Sequence, residues 1–211
     1  MVMGDTMVHE IGNKTLYELI FKQRNILLDI ALILFSVAFL GVMANIQIPL
    51  WPVPITMQTF GVFLIAFFFG SRKGAITLVA YLLAGLVGFG VFAGRSSGTE
   101  VFVKVKEGIV SLGPSGGYII GFIFAALVVG WLIEKGYGRT FKSVLGCMLV
   151  GEGVIYVFGL PWLWIALPHL TLWQLLMAGL IPFIVGDTLK ALGAVALFPY
   201  LWKGAEKLAN N

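Results

Sequence analysis

The chain has 211 residues, 59% of them hydrophobic and 11% charged, with a mean hydropathy of +0.98. This excludes an ordinary soluble domain and predicts a single all-α integral membrane domain: a span needs about 20 apolar residues, so the length holds about six spans and little else. The formal charge of +4 is scattered through short loops rather than gathered into a patch suited to nucleic acid or acidic lipid, so it is read as orienting the protein in its bilayer.

Residues 1–24 lack an apolar stretch followed by a small-residue cleavage site, and are expected to form a short cytoplasmic lead-in. The first helix is predicted over 26–48, ending where Pro49, Pro52 and Pro54 forbid continuation. A short second helix covers 55–70, a polar turn holds Ser71, Arg72 and Lys73, and a third helix covers 74–93. A long loop over 94–114 carries most of the polarity outside the termini. The fourth helix runs over 115–133 and breaks at Glu134, Lys135, Gly136 and Gly138. The fifth covers 142–158. Pro161 and Pro168 bracket a linker whose Trp162 and Trp164, with Trp173, suit an interfacial aromatic belt. The sixth covers 172–201, with a kink expected at Pro182.

With both termini on one side, that side collects Lys14, Lys22, Arg24, Arg72, Lys73, Lys135, Arg139, Lys142, Lys203 and Lys207, against Arg95, Lys104 and Lys106 on the other. The termini are therefore expected in the cytoplasm and the cell membrane is the expected location, so that the loops at 49–54, 94–114 and 159–172 face outward. The two halves show no repeat by eye, which weighs against a transporter built from inverted repeats.

Asp187 and Lys190 are the only charged residues in the apolar run 175–198, three positions apart on one helix face. Each charge at the bilayer centre costs about 2.5–3.5 kcal/mol on insertion scales, so the pair must face the interior. It is either a structural ion pair or a ligand clamp. As a clamp it suits a urea, amide or lactam, whose N–H groups would meet the carboxylate and whose carbonyl would meet the ammonium. Glu152 is the other acid within a later span, placed either beside Lys190 or near a membrane face. Asp29, within about a turn of the first helix's cytoplasmic end, is given no ligand role.

Gly113, Ser115 and Gly116 belong to a Gly-rich helix start whose free N–H groups suit a carboxylate. Tyr118 adds a hydroxyl or a flat apolar wall. Thr56 reads as a helix cap or a ligand contact, and Gln58, an amide in an apolar helix, needs a partner. Arg95 is either a solvated loop residue or a counter-charge for an anionic tail. Cys147 is assigned to packing. Gly117 with Gly121, and Ala80 with Ala84, fit close helix contacts. Gly88, Gly90 and Ala93 mimic a dinucleotide fingerprint but follow no strand, and no Gly-rich loop ends in Lys followed by Ser or Thr to hold nucleotide phosphates. His9 and His169 are isolated, which leaves a metal-dependent protease unsupported.

The ordered blocks PVPITMQTFGV (52–62), VFAG (91–94), GPSGGYIIGF (113–122) and GDTLKALGA (186–194) closely resemble the BioY family, the biotin-specific S components of energy-coupling factor transporters. The resemblance runs from the first helix to the last. It implies a six-helix protein with no catalytic chemistry or cofactor of its own, which captures biotin from outside. It further implies a transmembrane coupling subunit and two cytosolic ATPase subunits as partners, which accounts for the missing phosphate loop. Biotin's ureido group fits Asp187 and Lys190, and its carboxylate fits the 113–117 helix start or Arg95. Ser115 stands where Thr is common in the family. Small residues on the first helix, Ser36, Ala38, Gly41 and Ala44, depart from the family's strict AxxxA spacing. Two other readings are a proton-coupled vitamin transporter in which Asp187 and Glu152 titrate, and an S component for another vitamin.

Overall fold

The computed structural model describes residues 13–23, 25–106 and 108–209; His9, Arg24 and residues 1–12 of the lead-in lie outside the described residues. The rest of the lead-in is more than a tail. Thr15 and Glu18 form a reciprocal capping box that starts a short helix, α1 (Leu16–Ile20), whose Leu16, Tyr17 and Leu19 are buried against the last helix of the chain.

Asn25 caps the long helix α2 (Ile26–Asn45) by accepting the Leu27 N–H. This helix stops three residues before the expected end. Gln47–Ile48 (β1) instead pairs antiparallel with Ile55–Thr56 (β2), which also delays the next helix to Gln58. The prolines of the intervening loop are thus held in a small ribbon.

Helix α3 (Gln58–Leu86) is folded on itself at Gly70, whose φ of 77° and ψ of −165° leave the helical region. A Cβ at that φ would be strained, and one built there would lie 2.5 Å from Glu134 Oε1. The limbs 58–69 and 71–86 run antiparallel: Gln58 Nε2 donates to the Tyr81 hydroxyl at 2.7 Å, and Gly74 packs on Ala66. The two helices expected over 55–70 and 74–93 are these limbs. Glu134, at the end of the next helix, accepts the Ser71 N–H at 2.8 Å and the Ser71 hydroxyl at 2.9 Å, and so secures the turn.

The second limb ends at Leu86, seven residues early, where Gly88 and Gly90 lead into two 3-10 turns, Ala93–Arg95 and Gly98–Val101. The outer loop is no bare connection. It contains an antiparallel ribbon of β3 (Val103–Lys106) and β4 (Ile109–Leu112).

Helix α4 (Gly116–Glu134) matches its expected span and packs on the α3 limbs and on α5 (Phe141–Ala166). Gly117 sits against Trp162 and Phe158, and Gly121 sits against Ile155, so the small-residue spacing does serve helix approach. Helix α5 runs through Pro161 to Ala166, eight residues past the expected end. Membrane helices accommodate such a proline by local adjustment, and Trp162 Nε1 anchors the region by donating to Gly113 O at 2.8 Å.

The last span is two helices, not one kinked helix. A Thr171/Gln174 capping box opens α6 (Leu172–Gly179), Leu180 leaves helical geometry, and α7 (Ile181–Ala209) follows. The break falls before Pro182 because proline in the first turn of α7 forfeits no internal hydrogen bond. Among the described residues five stretches are long and apolar enough to cross a membrane, and α3 doubles back, giving six helical passes. The first α3 limb, about 18 Å long by helix rise, is shorter than a full crossing.

The basic end of the bundle is closely tied. Lys73 Nζ lies 2.7 Å from both Asp29 oxygens and 3.9 Å from the Tyr17 ring centroid, while the Tyr17 hydroxyl donates to Asp29 at 2.5 Å. Asp29 therefore has fixed partners at this end of the bundle. Arg139 lies 3.1 Å over the Trp202 ring, joining the α4–α5 turn to the end of α7.

Candidate functional site

At the opposite end, α3, α4, α5 and α7 enclose a cavity of about 280 Å³, roofed by the proline loop, the 3-10 turns and β3. Its floor is polar, its walls are largely apolar and aromatic, and its mouth carries Ser96, Glu100, Lys104 and Ser115. A pocket with a few converging polar groups in an apolar lining is the usual form of a small-molecule site.

The floor is built on α7. Asp187 and Lys190, 8% and 7% exposed, point inward from one helical face, and Lys190 Nζ lies 2.8 Å from Asp187 Oδ1. Burying two ions costs several kcal/mol each, and pairing offsets this only where further hydrogen bonds complete the geometry. Those bonds come from two other helices. Thr59, on the first α3 limb, accepts from Lys190 at 2.8 Å and makes a long 3.5 Å contact to Asp187 Oδ1. Tyr156, on α5, donates to Asp187 Oδ2 at 2.5 Å. Among the described residues Lys190 uses two of its three ammonium donors, leaving one for a ligand.

Glu152 lies one turn before Tyr156 and lines the same cavity at 8% exposure, facing the protein interior rather than a membrane face. Among the described residues, neither of its carboxyl oxygens meets a donor in hydrogen-bonding geometry.

The amide of Gln58 finds its partner in Tyr81, whose hydroxyl passes the bond on to Val91 O at 2.8 Å. Thr56 accepts the Gln58 N–H and donates to Gln58 Oε1, both at 3.2 Å, and lines the cavity, while the N-cap position itself is Met57, which makes no side-chain cap bond. Tyr118 donates to Gly179 O at 2.8 Å and stacks on Phe183 with ring centroids 6.0 Å apart. Its ring is a wall and its hydroxyl is occupied. Gly113 and Ser115 line the mouth, whereas Gly116 packs behind them against Phe102 and Trp162. Arg95 is exposed in the first 3-10 turn, where its N–H donates to Asn45 Oδ1, and it lies outside the lining.

Thr59, Ser96, Glu100, Lys104 and Tyr156 are polar lining residues that sequence reasoning missed. Tyr156 carried a usable signal, since it stands four residues after Glu152 on the same helical face. Thr59 and Lys104 carried none beyond ordinary loop and helix composition.

A bundle of six helical passes with one polar-floored cavity open at one end defines a membrane-embedded small-molecule-binding protein. The sequence model of the BioY family matches residues 15–207. Among similar proteins, the biotin transporter BioY of Thermotoga maritima is 36% identical over 160 residues, covering 76% of this chain and 87% of that protein. The probable biotin transporter BioY of Pyrococcus horikoshii is 33% identical over 183 residues, covering 87% and 97%. The crystal structure of an S-component for biotin from an ECF-type ABC transporter superposes with a TM-score of 0.70 at 28% identity, covering 84% of this chain and 92% of that one. The chain belongs to the BioY family.

Proposed function

We propose that this protein is the biotin-capturing S component of an ECF-type transporter, and that the α7 ion pair grips the vitamin's ureido head. The observation that carries the reading is the buried Lys190–Asp187 pair, held by Thr59 and Tyr156 at the floor of the cavity. A ureido group presents two N–H donors flanking a carbonyl. Asp187 takes an N–H, and the spare Lys190 donor meets the carbonyl. The bicyclic body lies against Tyr118, Phe122, Ile155 and Phe183, and the carboxylate reaches the mouth at Ser115 and Lys104.

The chain sits in the cell membrane with its basic end in the cytoplasm, in accord with the distribution of Lys and Arg. Binding rather than catalysis is its task. A transmembrane coupling subunit and two ATPase subunits supply the energy, and the apolar outer face of α2, with Leu34, Phe35 and Val42 exposed, is available to the coupling subunit or to lipid. Equilibrium binding of labelled biotin to the purified protein tests the reading, with thiamine and riboflavin as competitors. Saturable binding that only unlabelled biotin displaces is expected; absence of binding at micromolar ligand would overturn it.

A further inference from the structure

The floor of the cavity holds two carboxyl groups, Asp187 and Glu152, and one ammonium, Lys190. Asp187 is satisfied by Lys190 and Tyr156. Glu152 is equally buried and, among the described residues, meets no donor in hydrogen-bonding geometry; its carboxyl faces that of Asp187. An ionised carboxylate in that position would be an uncompensated buried charge beside another, the arrangement in which one of two acids keeps its proton.

The cavity lining supplies one ammonium at the floor, Lys190, and a second, Lys104, only at the mouth. Helix α7 contributes Asp187 and Lys190, α5 contributes Tyr156, α4 contributes Tyr118, and the mouth contributes Glu100 with Lys104. The facing part of α3 offers Gln58 and Thr59, with Tyr81 behind them bonded to Gln58, and α6 contains no ionisable side chain.

We infer that Glu152 is a neutral carboxylic acid that recognises the ligand's cyclic urea edge, so that ligand binding requires its proton. This rests on the biotin reading above. A carboxylic acid presents one O–H donor beside one carbonyl acceptor, and the N–H and C=O of a cyclic urea present the complement, giving two parallel hydrogen bonds. Asp187 then takes the second N–H, and the urea oxygen receives both the Lys190 ammonium and the Glu152 hydroxyl. Ionising Glu152 removes the donor and sets a carboxylate against the urea oxygen, so affinity falls as pH rises. Glutamine keeps the donor and acceptor pattern without a titrating proton.

The test compares wild type, Glu152→Gln and Glu152→Leu for labelled-biotin affinity between about pH 6 and about pH 9, with infrared spectra of the ligand-free proteins. Wild type is expected to weaken about tenfold or more across that range, and Glu152→Gln to stay within about threefold of the low-pH wild type throughout. Glu152→Leu is expected to bind about tenfold or more weakly at every pH. A protonated-carboxyl band present in wild type and missing in Glu152→Gln supports the neutral acid independently of any ligand. Parallel pH profiles in wild type and Glu152→Gln would assign the titration to Lys190 or another group and overturn the inference. So would a Glu152→Gln variant as weak as Glu152→Leu, or the absence of that band. Wild type that shows the band yet binds no biotin would instead defeat the biotin reading and, with it, the assigned ligand edge.

Discussion

Tyr156 donates its hydroxyl to Asp187 Oδ2 across the α5–α7 interface, and Asp187 Oδ1 faces Lys190 on its own helix. The carboxylate is thereby oriented from two directions, one of which depends on a helix it does not belong to. Tyr156→Phe removes that second direction while conserving the ring. A hydrogen bond to a charged group contributes about 1.5–3 kcal/mol, so biotin affinity is expected to fall about 10-fold to 100-fold, measured by equilibrium binding.

Lys190→Met alone strands a buried carboxylate and is expected to cost about 3–5 kcal/mol of stability. The double variant Asp187→Asn with Lys190→Met removes both charges and should unfold, in a thermal scan in detergent, closer to wild type than the single variant does. Biotin binding should be lost in both. A single variant as stable as the double one would contradict the buried pair.

The fold of α3 on itself predicts an effect remote from the cavity. Glu134→Ala deprives Ser71 of its acceptor at the turn beside Gly70, and a loss of about 1–3 kcal/mol is expected from the orphaned N–H. Glu134→Gln, which keeps an acceptor oxygen, should recover part of it. Thermal midpoints of the two variants decide the matter.

Helix approach can be tested at two glycines. A Cβ at Gly117 would lie 2.5 Å from Phe158 O, whereas one at Gly146 meets open space. Gly117→Leu is expected to lose about 1–3 kcal/mol or more by overpacking and to disturb the Trp162 environment, visible in fluorescence. Gly146→Ala should be neutral or stabilise by up to about 1 kcal/mol.

The spans of α2 and α4 were legible as long apolar runs, as were the inward charges of α7, because a bilayer penalises any other placement. The helix ends were less so. At residues 47–48 and 55–56 strand pairing competes with helix extension, and it is the ribbon that sets both ends. Pro161 reads as a terminator from local chemistry alone, yet the packed interface around Trp162 carries α5 past it. Gln58 announced its need for a partner, while the identity of that partner, Tyr81, depends on the hairpin at Gly70 and on no local signal. Thr59 and Tyr156 escaped notice because hydroxyl groups are common in apolar helices. Arg95 attracted attention as the visible outer arginine, but the fold turns Lys104 toward the cavity instead.

The two charges of the cavity floor belong to one helix, three residues apart, whereas Thr59 and Tyr156 belong to two others. A displacement of α7 relative to its neighbours therefore carries the ion pair along intact as an electrically neutral unit. Such a displacement breaks the hydrogen bonds to Thr59 and Tyr156, each on the scale of about 1.5–3 kcal/mol, and does not separate opposite charges in an apolar interior. The resistance to moving α7 at this point therefore comes from hydroxyl groups and not from charge.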